Sequence, residues 1–294
     1  MEASEILKKI RKIEITTKSI VSDIFSGEYH SIFKGQGLEF SEVREYQDGD
    51  AFRQIDWNVS AKMGKPYIKK FEETRELNVM FLIDGSYSTL FGTQNSLKSE
   101  YITEIAAVLS FSALSNNDKV GLLLFTDEVE KYIPPRKGRK SALRILREIL
   151  YFDPASKSTD LKMVFEYIYR LTKKRSTIFI ISDFFDTGYE NVLKLLARKH
   201  DCIAIQVLDK AELELPKAGI LDFFDPESGK KFSVNTSSKK VRKRYQEFQT
   251  KRQKQILENF RKMRIDMINL TTDKPYINNL IKFFKNRSHR KARR

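Results

Sequence analysis

Apolar positions along the chain change period several times, and each change marks an element. Over residues 5–25, Ile6, Ile10, Ile13, Ile20, Ile24 and Phe25 recur at helical spacing before Gly27, which predicts an N-terminal helix. Residues 33–73 mix charges and turn formers without a clean period until PYIKKFEE, and predict an elaborated β-rich or irregular segment. From residue 78 the pattern is regular. NVMFLID, KVGLLLF, TIFIISD and CIAIQVL are short continuous apolar runs, as expected of strands covered on both faces of a parallel sheet. Around them the periodicity predicts helices over 96–115, 139–150, 160–171 and 189–198, with EVEKYI as an edge strand. GILDFFD and KKFSVNT flank PESG and predict a β-hairpin turning at 226–229. A long basic helix with Val241, Tyr245, Phe248, Phe260 and Met263 on one side, the strand RIDMINL and a helix over 275–284 complete the series. Strands alternating with helices indicate an α/β fold with a doubly wound, mostly parallel sheet flanked by helices. The expected organisation is an N-terminal segment over 1–77 packed on a main domain over 78–286, a hairpin insertion near 219–236, and a basic tail over 287–294.

In doubly wound sheets ligands bind where strand carboxyl ends meet at a topological switch point, so the strand ends carry the chemistry. The first buried strand runs into Asp84-Gly85-Ser86-Tyr87-Ser88, the third ends at Asp183, and Ser158-Thr159-Asp160 opens a helix between them. Carboxylates and hydroxyls with no His or Cys nearby form a hard oxygen donor set, suited to Mg²⁺ or Mn²⁺ rather than zinc. Two plainer roles compete: Ser158 or Thr159 as a helix N-cap, and Asp183 as a strand end or cap of the next helix.

Composition narrows the class. At 294 residues and 40% hydrophobic, the chain has enough apolar side chains for a core without disulfides, which excludes collagen-like and wholly disordered readings. The single cysteine, Cys202, lies in an apolar run and is expected to be buried, so neither a disulfide framework nor a cysteine zinc site is available. No segment approaches the roughly 20 apolar residues of a membrane span, and charges run through the first windows, so a cytoplasmic chain is expected. Nucleophile-elbow, Walker and zincin motifs are missing, and a non-enzymatic role is expected.

The formal charge of +15 is unevenly placed. Residues 239–294 hold 19 basic and four acidic residues, while residues 1–238 balance. Without an aromatic stacking pattern or nucleic-acid motif, this reads first as a solvated helix face and frayed tail, with nucleic-acid binding as the alternative function. Glu39, Glu42, Glu45, Asp48, Asp50 and Asp56 against Arg44 and Arg53 form a local acidic excess around the only tryptophan. Trp57 is expected to be buried as an anchor of a salt-bridged plug, with a docking surface as the alternative.

Asp84-Gly85-Ser86-Tyr87-Ser88 after a buried strand, Thr159 at a helix start and Asp183 after a later strand resemble the metal-ion-dependent adhesion site of von Willebrand factor A-like domains. The longer stretch from Gly35 to Ser88, GQGLEFSEVREYQDGDAFRQIDWNVSAKMGKPYIKKFEETRELNVMFLIDGSYS, resembles the signature of the bacterial family called domain of unknown function 58 (DUF58). The likeness implies a von Willebrand factor A-like, Rossmann-type fold in which Asp84, Ser86, Ser88, Thr159 and Asp183 hold Mg²⁺ or Mn²⁺ directly or through water. It further implies a protein-interaction module acting with a MoxR-type AAA+ ATPase in chaperone-like maturation of other proteins, and membrane-associated von Willebrand factor A proteins as further partners.

Overall fold

The four apolar runs become the centre of a six-stranded sheet. The computed structural model describes residues 11, 13–17, 38–47, 49–73, 76–90, 97–156, 158–224 and 231–292. Its elements are β1 (Leu38–Glu45), α1 (Trp57–Met63), β2 (Tyr67–Glu73), β3 (Asn78–Asp84), α2 (Lys98–Ser115), β4 (Lys119–Phe125), β5 (Val129–Arg136), α3 (Arg139–Leu150), α4 (Leu161–Leu171) and β6 (Thr177–Ser182). These are followed by α5 (Glu190–Lys199), β7 (Asp201–Leu208), α6 (Lys210–Leu213), β8 (Ile220–Phe224), β9 (Lys231–Asn235), α7 (Lys239–Met263), β10 (Asp266–Thr271) and α8 (Tyr276–Ala292).

The strand order is β10-β7-β6-β3-β4-β5, with every pair parallel except β4–β5. Period-2 alternation inside each run explains why both faces are apolar. Val79, Phe81 and Ile83 of β3 face one layer with residues of α2, α3 and α8, while Met80 and Leu82 face the other with α4, α5 and α7. Helix α2 is apolar on nearly all sides, with Ile105, Ala106, Val108 and Leu109 fully buried, which suits a helix covered by both the sheet and other helices. This is an α/β, Rossmann-type arrangement with a mixed, mostly parallel sheet, consistent with a von Willebrand factor A-like architecture.

The segment expected to be β-rich or irregular is β-rich, with a β1–β2 antiparallel pair and the short helix α1, started by the Asp56 carboxylate accepting from the amides of Asn58 and Val59 and stopped by Gly64 in the left-handed region. Other expectations are corrected. Trp57 is 65% exposed rather than buried, because Ile55 takes the inward position, bridging to Ile68, and α1 buries none of its own residues. The last helix continues to Ala292 instead of ending near residue 284, and residue 287 starts no frayed tail. Arg287 is only 6% exposed and pairs with Asp201 and Asp266 at the start of β7 and β10, while Arg290 reaches Asp266 at 2.9 Å. The N-terminal helix is described only at residues 11 and 13–17, and both its end at Gly27 and the hairpin turn at 226–229 lie outside the described residues.

Candidate cation site

The chain leaves β3 toward α2 on one face of the sheet and leaves β6 toward α5 on the other, so a crevice opens between their carboxyl ends. Parallel register sets Ile83 beside Ile181, which places Asp84 next to Ser182 and Asp183. Asp84 is 2% exposed and Asp183 9%. The Asp84 carboxylate accepts from the Ser86 amide at 3.0 Å, the Ser182 hydroxyl at 2.7 Å and the Thr159 hydroxyl at 3.4 Å. The Ser86 and Ser88 hydroxyls lie 3.0 Å apart. Thus Asp84, Ser86, Ser88 and Thr159 are joined by hydrogen bonds, and Asp183 acts on Asp84 through its charge. Burial, followed by the Asp183 charge, pushes the Asp84 carboxyl up to about 6.

Local sequence explains why these groups converge. A Cβ at Gly85 would lie 2.0 Å from a ring carbon of Phe152, so the Asp84–Ser86 turn packs directly beneath that ring, which any larger residue would have to displace. Thr159 is not the N-cap of α4. Asp160 takes that role, accepting from the Met163 amide at 2.8 Å, and the Asp186 carboxylate accepts from the Leu161 amide at 2.8 Å. The Thr159 hydroxyl is thereby available to Asp84, and Asp186 ties the α4 start to the loop after β6. Asp183 caps no helix either, since α5 starts from Tyr189. Its Oδ1 accepts from the Phe185 amide at 3.1 Å and its carbonyl from Gln206 at 2.7 Å.

Sequence reasoning missed three members of this neighbourhood. Lys98, 1% exposed, points its ammonium at both Glu212 carboxylate oxygens, at 3.0 and 3.1 Å, with Asp183 at 3.8 Å. Burial raises the Glu212 pKa against the opposing pull of Lys98. Ser182 bridges Asp84 and the Phe184 amide. A lone Lys in a first helical turn and a Glu 114 residues later carry no shared local signal; only the fold brings them together.

The donors facing the crevice are all oxygen, the chemistry preferred by Mg²⁺ and Mn²⁺. Asp84, Asp183 and Glu212 against Lys98 leave a net charge of −2, which a divalent ion neutralises. Asp84 itself receives only amide and hydroxyl donors, so its buried charge is incompletely compensated and a cation fits there. Among the described residues, no group of three or more His, Cys, Asp and Glu side chains is placed to hold a metal ion, so such a site relies on the hydroxyls.

The chain is thus an α/β domain with an Asp-x-Ser-x-Ser turn at its switch point. The chain belongs to the family described as Protein of unknown function DUF58, whose profile matches residues 42–255. It is 28% identical over 283 residues to uncharacterized proteins of Mycobacterium bovis and Mycobacterium tuberculosis, covering 95% of this chain and 88% of theirs. It is 29% identical over 109 residues to the uncharacterized protein YeaD of Bacillus subtilis, covering 37% of this chain and 25% of that one. Among solved structures, BatB of Bacteroides thetaiotaomicron, a conserved hypothetical protein, superimposes with a TM-score of 0.46 at 14% identity, covering 72% of this chain and 99% of that one. An aerotolerance-related membrane protein of Bacteroides fragilis gives 0.49 at 15%, covering 73% and 99%. Likeness at these scores transfers nothing further to this chain. Among the described residues, no helix is long and apolar enough to cross a membrane.

Proposed function

We propose that this chain is a non-enzymatic, cytoplasmic protein-interaction module that depends on Mg²⁺ or Mn²⁺ and acts with a MoxR-type AAA+ ATPase in maturing other proteins. The observation that carries this reading is the convergence of Asp84, Ser86, Ser88, Thr159 and Asp183 at one switch point. In this reading Ser86, Ser88 and Thr159 offer hydroxyl oxygens, and Asp84 and Asp183 balance the charge. The bound ion supplies an open coordination position for a partner carboxylate. Ser182 and Phe185 keep the two carboxylates aimed, and Phe152 over Gly85 holds the turn. The ATPase partner comes from the family likeness.

The test is calorimetric titration of Mg²⁺ and Mn²⁺ into the wild type and the Asp84→Asn variant, with capture of the ATPase in the presence and absence of EDTA. Binding by the wild type alone, with EDTA-sensitive capture, is the expected result. Absence of ion binding up to millimolar concentration, with or without the ATPase, refutes the cation reading.

A further inference from the structure

Helix α7 carries ten basic and two acidic residues over 25 positions and spans about 37 Å at 1.5 Å per residue. Its inner side is set by Tyr245, Gln249, Ile256 and Phe260. On the opposite side, Lys240, Arg244, Phe248, Lys251 and Gln255 follow one another at i+3 and i+4 spacing and are all exposed, Phe248 at 61%. Lys243 pairs with Glu247 at 3.7 Å, but among the described residues Lys240, Arg244 and Lys251 have no ion-pair partner. The solvated-face reading accounts for the charges but not for a phenylalanine centred among them.

Helix α7, though not its outer row, is tied to the candidate cation site at two points. The Arg252 guanidinium stacks over the Phe185 ring at 3.7 Å and donates to the Phe185 carbonyl at 2.9 Å, two residues beyond Asp183. The Tyr245 hydroxyl donates to the Glu212 carbonyl at 3.0 Å, on the residue whose carboxylate holds Lys98. We infer that the outer row of α7 is a docking surface for an acidic protein segment bearing an apolar side chain that packs on Phe248, on a helix anchored beside the cation site by its inner residues. The inference rests on the interaction-module reading for the partner being a protein, and adds its chemistry. Phe248 decides between an acidic protein and a nucleic acid. An aromatic ring beside arginine is the usual anchor of a protein interface, whereas phosphate contacts along a duplex have no use for it. A single strand needs a succession of stacking rings, and Phe248 is the only exposed large hydrophobic side chain among the described residues of α7.

The test uses the full chain and three labelled probes at physiological salt: a synthetic peptide of glutamates interspersed with leucine, a single-stranded DNA and a duplex DNA. The peptide should bind most tightly, and both Arg244→Glu/Lys251→Glu and Phe248→Ala should weaken it on the order of tenfold or more, with unchanged circular dichroism. The proposal is overturned if DNA binds more tightly with Phe248→Ala without effect, or if the peptide fails to bind or ignores these variants. Repeating the titration with Asp84→Asn and with EDTA keeps the two readings apart. Loss of peptide affinity confined to the α7 variants supports this surface and leaves the cation reading to the calorimetric titration.

Discussion

Replacing Asp84 by Asn separates the charge of the crevice from its shape. The carboxylate is buried, and burial with the neighbouring Asp183 charge raises its pKa from an ordinary 3.8 to about 6. Below 3.8 the group is protonated in both the folded and unfolded chain. As pH rises from there through about 6, the unfolded chain gives up its proton first, so stability is lost, and above about 6 the loss is complete. The interval corresponds to about 3 kcal/mol at about 1.36 kcal/mol per pH unit. Asn has the shape of the protonated acid, and its amide can donate to the Ser182 oxygen once that hydroxyl turns. The variant should therefore match the wild type at about pH 4 and exceed it by about 3 kcal/mol at neutral pH, roughly 6 to 12 °C in melting temperature for a chain of this size. Urea unfolding in EDTA across this pH range measures the difference. His200, held down to about 4 mainly by burial, adds an acid-side slope of its own, which cancels between the two proteins. A difference that stays constant from acid to neutral pH refutes the electrostatic account. Adding Mn²⁺ at neutral pH should stabilise only the wild type, shrinking or reversing the gap.

Three further outcomes are expected. Lys98→Met takes the crevice from −2 to −3 and should tighten Mn²⁺ binding on the order of tenfold, Glu212→Gln should loosen it, and the double variant should return near the wild type; weaker binding by Lys98→Met would contradict this charge count. Trp57 should fluoresce at long wavelength and be fully accessible to acrylamide, and Trp57→Ala should cost less than about 1 kcal/mol in urea unfolding, since α1 buries none of its side chains. Arg287→Ala leaves the Asp201 and Asp266 carboxylates without their shared buried partner and should cost roughly 3 kcal/mol, whereas removing residues 293–294 should be neutral by thermal melting.

Much of this architecture was legible in the order of the residues. Continuous apolar runs specify strands covered on both faces, and helical periodicity specifies the layers, because both signals are local and repeat over many residues. The predicted 139–150 helix coincides with α3, and the core strands match within a residue or two. Asp84, Ser86, Ser88, Thr159 and Asp183 could be named because three strand or helix ends carried oxygen side chains together. The tertiary structure alone decided the rest, through contacts between residues far apart in the chain. Lys98 meets Glu212 only because α2 and α6 both start at the carboxyl end of the sheet, after β3 and β7, and Arg287 becomes buried only when β7 and β10 bring Asp201 and Asp266 side by side. Trp57 lies on the outside because a single strand bridge at Ile55 sets which neighbour turns inward. A periodicity records which side chains share a face of one element, but burial depends on what the fold lays against that face.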